Sequence, residues 1–283
     1  MRHYIDPKFF AAFLKDFKLV FDLLKTTNGE FDLRLRKDSC NIYYQGNSVA
    51  RIDLIPPKHH LSKPTPQKYR VSMHDLFLHG VYTKDVRFNP FFKSFKTGYQ
   101  SIDLESNNIH SFFQRKYLDA IALNIKSRNY GEEITLEQRI ITDNWFNCNT
   151  IIIDRQISAG VRFDLLALKH LEANRYCFFI VEVKLGNNSD LKGKVATQLS
   201  GYISHVQATA NFPDWVANYK MVYSQLKQIG IHPNLVAEDI EIEEIVEGKV
   251  VVGGYSGVSV KYIHKLRSLM PGFEVQEFRN YLS

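Results

Sequence analysis

The most constraining stretch of this chain is an apolar run from Tyr176 to Leu185, which is interrupted only by Glu182 and Lys184. A short run this rich in Phe, Ile and Val predicts a strand buried on both faces of a sheet. Successive side chains of a strand point to opposite faces, so Glu182 and Lys184 share one face. Charged side chains are rarely buried unless they are paired or bind a metal. The run therefore predicts a charged site on a central strand.

A third charged residue belongs to the same site if the preceding segment forms a hairpin with this strand. Val161–Leu168 reads as a strand, and Asp164 lies within it. Its carboxylate can then reach the face that carries Glu182 and Lys184. Two carboxylates are suitable Mg²⁺ ligands, the backbone carbonyl of Val183 can add a third, and the lysine supplies positive charge beside them. The alternative is a surface ion pair of Glu182 with Lys184 or Arg162.

The order of elements around this site predicts an α/β layer structure. Apolar periodicity and turn residues give the segments in sequence. They are a helix over Glu132–Phe146, strands over Thr150–Ile157, Val161–Leu168 and Tyr176–Leu185, helices over Lys192–Gln207 and Phe212–Ile229, a strand over Lys249–Gly254, a helix over Ser256–Met270 and a strand over Phe273–Phe278. The acidic segment Ala237–Glu247 is expected to form an exposed edge strand or a surface turn, and a second metal site there is the alternative.

The first part of the chain has a different character. Apolar spacing predicts helices over Pro7–Asn28 and Asn108–Arg128, and alternation predicts three short antiparallel strands between Glu30 and Ile55. Four prolines between Pro56 and Pro66 predict a loop. We therefore expect two domains: residues 1–130, a smaller α+β domain, and residues 131–283, the α/β domain.

Charge separates the same two parts. Residues 1–130 carry 21 Lys and Arg against 12 Asp and Glu, whereas residues 131–283 carry 15 against 18. A basic part indicates a polyanion partner, most simply nucleic acid, although a solvated basic surface gives the same count. Within residues 68–104, aromatic residues alternate with basic ones. This pattern is typical of backbone or single-strand contacts, or of a small satellite core with a basic rim.

Composition favours a cytoplasmic protein. The three cysteines are Cys40, Cys148 and Cys177, which form no Cys-x-x-Cys pair and indicate a reducing compartment. The N-terminal apolar segment is interrupted by charged residues, so no signal peptide is expected. No stretch of about 18 uninterrupted apolar residues occurs, so no membrane partner or membrane span is expected.

The set Asp164…Glu182-Val183-Lys184 resembles the core motif of the PD-(D/E)xK nuclease superfamily over about residues 132–255. Phe163 stands where the family name has Pro. Gln198 and Tyr202 match the Gln-x-x-x-Tyr signature of the RecB-like branch, and at positions i and i+4 they share one helix face. The alternative for these two residues is polar contact between packed elements.

The resemblance implies a restriction-endonuclease-like αβββαβ core with a mixed central sheet. It implies that Asp164, Glu182, Lys184, Gln198 and Tyr202 form the catalytic set. In the same family, an acid on the helix before the first strand often completes the metal shell. Glu137 holds that place here, Glu133 competes for it, and Arg155-Gln156 at the end of the first strand can approach the site.

We therefore expect a metal-dependent nuclease with Mg²⁺ as cofactor, for which Mn²⁺ can substitute. DNA is the expected nucleic acid partner, the basic domain is expected to hold it, and a homodimer is one arrangement that could cut two strands. The alternatives are a non-catalytic nucleic-acid-binding protein with a degenerate nuclease fold and an interaction subunit of a larger complex, such as a bacterial defence system.

Overall fold

In the part of the chain that the structure describes, the protein is of the α/β class and has two sheets, one of six strands and one of five. The structure, a computed structural model, describes residues 2–56, 66–128, 131–158, 160–208 and 210–278. Most of the loop predicted between Pro56 and Pro66 lies outside these residues. Contacts divide the chain into two compact units. The N-terminal unit contains Arg2–Gly131 and Gln225–Pro233, and the C-terminal unit contains Glu132–Ser224 and Asn234–Ser283.

The N-terminal unit is built on an antiparallel sheet. Its helices and strands are α1 Pro7–Asp16, α2 Lys18–Lys25, β1 Phe31–Arg36, β2 Ser39–Tyr44, β3 Asn47–Ile55, β4 Lys68–His74, α3 Asp75–Leu78, β5 Lys93–Lys96, β6 Tyr99–Glu105, α4 Ile109–Phe112 and α5 Arg115–Lys126. The strand order is β1-β2-β3-β4-β6-β5, and every neighbouring pair is antiparallel. The three predicted strands are confirmed, and three more, β4, β5 and β6, follow between residues 68 and 105, where no strand is predicted.

Two predicted helices of this unit are each split in two. The helix predicted over Pro7–Asn28 is interrupted at Phe17, whose backbone lies at φ −98° and ψ 2°. The rings of Phe13 and Phe17 lie 4.7 Å apart and those of Phe17 and Phe21 lie 6.0 Å apart, so the apolar stripe continues through the break. Periodicity alone therefore could not detect it. The helix predicted over Asn108–Arg128 is likewise α4 followed by α5.

The C-terminal unit is organised around β9. Its elements are α6 Glu132–Asp143, β7 Thr150–Ser158, β8 Arg162–Glu172, β9 Arg175–Leu185, α7 Lys194–Gln207, α8 Phe212–Ile229, β10 Glu241–Gly253, α9 Ser256–Leu269 and β11 Glu274–Phe278. From Gln225 onward, α8 belongs by its contacts to the N-terminal unit. The order along the chain agrees with the predicted succession of helices and strands. Most bounds differ by at most four residues, but β10 begins eight residues before the predicted Lys249.

The five-stranded sheet is mixed, with the order β11-β10-β9-β8-β7. Strands β7, β8 and β9 are antiparallel to one another, whereas β9, β10 and β11 run parallel. Two glycines of β10 mark where helices approach. A Cβ on Gly248 would lie 2.8 Å from Ile203 of α7, and one on Gly253 would lie 2.4 Å from Leu136 of α6. These glycines differ by five positions and so face opposite sides, which places α6 and α7 on the two faces of the sheet.

Residues 241–247 of the acidic segment form the first half of β10, and residues 237–240 precede the strand. This half pairs with β9 on one side, beginning at Glu241↔Arg175, whereas the pairing with β11 starts only at Lys249. The expected edge strand is therefore an edge only in this half, and the same strand becomes internal further on. Among the described residues, no helix is both long and apolar enough to cross a membrane.

Candidate active site

The pairing of β8 with β9 brings the three motif residues together. Leu165 pairs with Val181 in this antiparallel ladder. One step further out, Asp164 comes opposite Glu182, and opposite residues of antiparallel strands have their side chains on the same face. Lys184 lies two positions beyond Glu182, on that face as well. The hairpin expected from the sequence is thus present and positions all three side chains.

The ammonium of Lys184 lies among three oxygens. Its Nζ is 2.7 Å from Oε1 of Glu182, 2.9 Å from the carbonyl oxygen of Val183 and 3.5 Å from Oδ2 of Asp164. These oxygens belong to the three residues that the sequence predicts as metal ligands on the two strands. Oδ2 of Asp164 also accepts a hydrogen bond of 2.8 Å from the backbone N–H of Val183. The arrangement is therefore able to hold a positive charge.

Burial shifts the pKa values of the charged side chains in this group. The side chains of Glu182 and Lys184 are 4% and 8% exposed, whereas Asp164 is 17% exposed. Burial and the neighbouring charge of Asp164 raise the pKa of Glu182 to about 7, against the opposing effect of Lys184. Burial alone would lower the pKa of Lys184, but Asp164 and Glu182 outweigh it and raise that pKa above its ordinary value. The lysine is therefore held in its charged form.

Two buried oxygens of the predicted catalytic residues have no hydrogen-bond partner among the described residues. They are Oε2 of Glu182 and Oε1 of Gln198. A buried acceptor left unsatisfied is costly, and such atoms in a folded protein call for an explanation in terms of a ligand or solvent. An additional cation ligated by Glu182 would satisfy one of them. The donor set of carboxylate and carbonyl oxygens fits a hard cation such as Mg²⁺.

Glu137 is buried and engaged by its neighbours. Its carboxylate accepts hydrogen bonds from Nε2 of Gln156 at 2.7 and 2.8 Å and from Nη2 of the fully buried Arg155 at 3.0 Å. Arg155 also donates to Oε1 of Gln138 at 2.6 Å. Burial raises the pKa of Glu137 to about 7, with Arg155 lowering it and Asp164 raising it. Glu137 is thus close enough to influence Asp164, but its oxygens are held by Arg155 and Gln156.

Glu133, one turn earlier on α6, lies nearer the lysine. Its Oε1 is 4.0 Å from Nζ of Lys184, and its Oε2 accepts a 3.3 Å hydrogen bond from Asn188. At 34% exposure this carboxylate is far more accessible than Glu137. Of the two acids that the sequence offered on this helix, Glu133 is the one in an ion pair with Lys184.

The Gln-x-x-x-Tyr pair lies on α7, half-buried. The ring of Tyr202 packs against Phe163, the residue before Asp164, with centroids 5.7 Å apart. Burial raises the pKa of Tyr202, and the carboxylates of Glu182 and Asp164 raise it further. Tyr202 therefore lies within electrostatic range of the motif. For Gln198, the unsatisfied Oε1 is the feature that distinguishes it from an ordinary surface glutamine.

Sequence reasoning missed two residues that support this group. Gln138 orients Arg155, and Asn188 holds Glu133. Asn188 lies in the polar break after β9, where no spacing singled it out, and Gln138 resembles any polar helix residue. Both residues support the site because the fold places them beside a charged side chain. The spacing of residues in the sequence therefore does not identify them.

A cluster of three or more His, Cys, Asp or Glu arranged to hold a metal ion is absent from the part of the chain that the structure describes. The proposed donor set instead combines two carboxylates with a backbone carbonyl. Comparison of the chain with protein-family models, with curated proteins and with solved structures gives no match.

Proposed function

We propose that this chain is a Mg²⁺-dependent nuclease that hydrolyses phosphodiester bonds in nucleic acid, with DNA as the first substrate to test. The observation that carries the proposal is the position of the Lys184 ammonium among oxygens of Asp164, Glu182 and Val183. A site that encloses one cation with these ligands is suited to a divalent metal, which would polarise a phosphoryl oxygen and activate water.

The fold is consistent with this chemistry. The succession α6, β7, β8, β9, α7 and β10 and the mixed sheet support a restriction-endonuclease-like core. Such a core would present the motif from the ends of β8 and β9, with α6 and α7 contributing from the two sides. The resemblance rests on the motif and on this order of elements.

Each residue has a distinct task in the proposed reaction. Asp164 and Glu182 would hold the metal together with the carbonyl of Val183. Lys184 carries three N–H donors on Nζ and can donate to the attacking water or to a phosphoryl oxygen on which negative charge develops. The backbone N–H of Val183 fixes the orientation of Asp164. Tyr202, packed on Phe163, would contact the sugar-phosphate chain with its hydroxyl.

A direct assay tests the proposal. The protein is incubated with linear, circular and single-stranded DNA and with RNA, in Mg²⁺, Mn²⁺ or EDTA. We expect cleavage only with the metals, and its loss in Asp164→Ala and Lys184→Ala with unchanged circular dichroism. Glu244→Ala and Lys265→Ala, which remove exposed charges elsewhere in the C-terminal unit, serve as matched controls. Full activity in both motif variants would overturn the proposal.

The competing function is a non-catalytic nucleic-acid-binding protein. The hydrogen bonds that Glu137 accepts from Arg155 and Gln156 favour this alternative. A carboxylate whose oxygens are occupied in this way is not available to ligate a metal. Metal-independent binding without cleavage of any substrate would decide for this alternative.

A further inference from the structure

A second candidate surface lies in the N-terminal unit, on the segment Lys84–Lys96, which we name the aromatic–basic segment. Its anchor residues face inward. Phe88 is buried against Tyr82 and Phe112, with ring centroids 6.0 and 5.1 Å away. Phe92 also packs on Tyr82, at 5.5 Å. The satellite core that the sequence allowed is therefore present and fixes this segment in place.

Two other aromatics of the same segment face outward. Phe91 is 59% exposed and Phe95 is 49% exposed, and Val86 of the same segment is 82% exposed. Both rings are largely outside the satellite core, so packing in that core does not explain them. Several exposed apolar groups within one short segment indicate an interaction surface more often than isolated ones do.

Positive charge surrounds these rings. Lys84, Arg87, Lys93 and Lys96 are all exposed, and Asp85 is the single acid between them. Asp85 forms its ion pair with Arg87 at 2.6 Å. Among the residues that the structure describes, Lys84, Lys93 and Lys96 form no ion pair with an acid, and the partner that suits them is an anion. An aliphatic or membrane-core partner would gain nothing from this charge.

The geometry of β5 makes the segment accessible. Among the described residues, β5 is the last strand of the six-stranded sheet and pairs only with β6, and all four of its side chains are exposed. Phe95 lies at the irregularity between the paired residues Ser94 and Lys96. Phe91 and Phe95 are four residues apart, which limits their separation along the chain to about 14 Å. A flexible nucleic-acid chain, which carries a base every few ångströms, is able to reach both rings.

A depression beside the segment extends the basic surface. It has a volume of about 620 Å³, and its lining includes Lys84, Val86, Lys116 and Tyr117. The ammonium of Lys116 lies over the ring of Tyr117, 4.7 Å from its centroid. Two lysines, Lys84 and Lys116, and the acid Asp85 therefore line a concave region that includes the start of the aromatic–basic segment.

We propose that the aromatic–basic segment binds single-stranded nucleic acid, with Phe91 and Phe95 stacking on bases and the lysines contacting phosphates. Bases in a duplex have both faces covered by their neighbours, whereas those of a single strand are free to stack on a ring. The inference builds on the proposed nuclease function, because it names the form of substrate that the N-terminal unit holds.

The test measures binding in the full chain carrying Asp164→Ala, in EDTA, so that cleavage plays no part. Fluorescence anisotropy with a labelled 20-nucleotide oligothymidine and with a duplex of equal length gives the affinities. We expect the double change Phe91→Ser and Phe95→Ser to weaken single-strand binding by about 10-fold or more for each ring and to change duplex binding little. Phe91→Trp with Phe95→Trp should retain binding.

Two further pairs of substitutions test whether the effect is specific to the rings and whether the lysines contact phosphates. Leu19→Ser and Leu123→Ser remove exposed apolar side chains elsewhere in the same unit and should leave binding unchanged. Lys93→Gln with Lys96→Gln should reduce the slope of log affinity against log salt by about 1.4, since each phosphate contact on a single strand contributes about 0.7.

Unchanged single-strand affinity in the Phe91 and Phe95 double variant would overturn the inference. So would an equal loss of duplex binding, or a wild-type dimer that dissociates in the double variant, since the rings would then serve self-association. Binding that depends on the two rings in a protein that cuts no substrate would support this inference while removing the proposed nuclease function.

Discussion

The ammonium of Lys184 and the carboxylate of Glu182 form a buried ion pair, with Nζ 2.7 Å from Oε1. The second oxygen of the same carboxylate, Oε2, has no hydrogen-bond partner among the described residues. Desolvating two charges is costly, and such a pair compensates for it only when the remaining lone pairs are satisfied. The pair is thus a weak source of stability, and its unsatisfied oxygen is consistent with the proposed cation site.

Replacing Lys184 should separate metal binding from catalysis. The ammonium and a divalent cation compete for the same oxygens, so Lys184→Met should bind Mn²⁺ more tightly than the wild type does. Cleavage should fall by about 100-fold or more, the usual cost of losing one donor to a developing negative charge. Isothermal titration calorimetry and single-turnover cleavage measure the two effects, with Lys265→Met as control. A weaker affinity for Mn²⁺ would contradict the competition.

The two acids of α6 should differ in their effect on metal affinity. Glu133 is accessible and pairs with Lys184, whereas the oxygens of Glu137 accept hydrogen bonds from Arg155 and Gln156. We therefore expect Glu133→Gln to weaken Mn²⁺ binding and Glu137→Gln to leave it nearly unchanged. Calorimetric titration of both variants gives the comparison. The reverse order would restore Glu137 to the metal shell that the family resemblance implies.

The pair of Arg155 and Glu137 should matter for stability. Arg155→Met leaves a buried carboxylate without its cation, which typically costs about 3–5 kcal/mol. The double variant Arg155→Met, Glu137→Gln removes both charges and should recover part of that loss. Urea denaturation of the wild type, both single variants and the double variant completes the cycle. Strictly additive effects would mean that the two residues do not interact.

His232 should make the free energy of unfolding depend on pH. Burial, with Arg34 adding to it and Asp32 opposing it, lowers the pKa of His232 to about 4. Below about pH 6.5 the unfolded chain binds a proton at this histidine while the folded chain does not, so stability falls as pH drops from 6.5 towards 4. The full shift corresponds to about 3 kcal/mol. Denaturation curves at pH 8, 6.5, 5 and 4 for the wild type and His232→Gln should converge at low pH, whereas parallel curves would refute the assignment.

Gly186, directly after β9, should tolerate no side chain. A Cβ there would lie 2.3 Å from the carbonyl oxygen of Gly254 and 2.8 Å from Cβ of Ser259. Gly186→Ala should therefore destabilise the protein by about 1–3 kcal/mol. At Gly257, where a Cβ would meet nothing within 4 Å, the same substitution should be neutral or slightly stabilising. Thermal melts of the two variants test this contrast, and equal melting temperatures would count against it.

Periodicity located the elements that are long and have a clear apolar pattern. The helix predicted over Phe212–Ile229 coincides with α8, and the predicted strand over Tyr176–Leu185 differs from β9 by one residue. The break at Phe17 escaped detection because apolar spacing continues through it. Strand β4 does alternate, since Tyr69, Val71 and Met73 are all buried on one face, and this short local period was overlooked. Strand β5 has four exposed side chains and no apolar face, so its pairing with β6, and not a local period, makes it a strand.

The sequence by itself determined which residues carry the charge of the candidate site, since Glu182 and Lys184 must share a face of any strand that contains both. It also determined the α/β class, through the succession of helical and alternating segments. Only the tertiary structure decided that Asp164 comes opposite Glu182, that the ammonium lies among three oxygens, and that Glu137 is held by Arg155 while Glu133 pairs with Lys184. The reason is physical: local pattern fixes the direction in which a side chain points, whereas its neighbour is chosen by the register of strands and the packing of helices far apart in the chain.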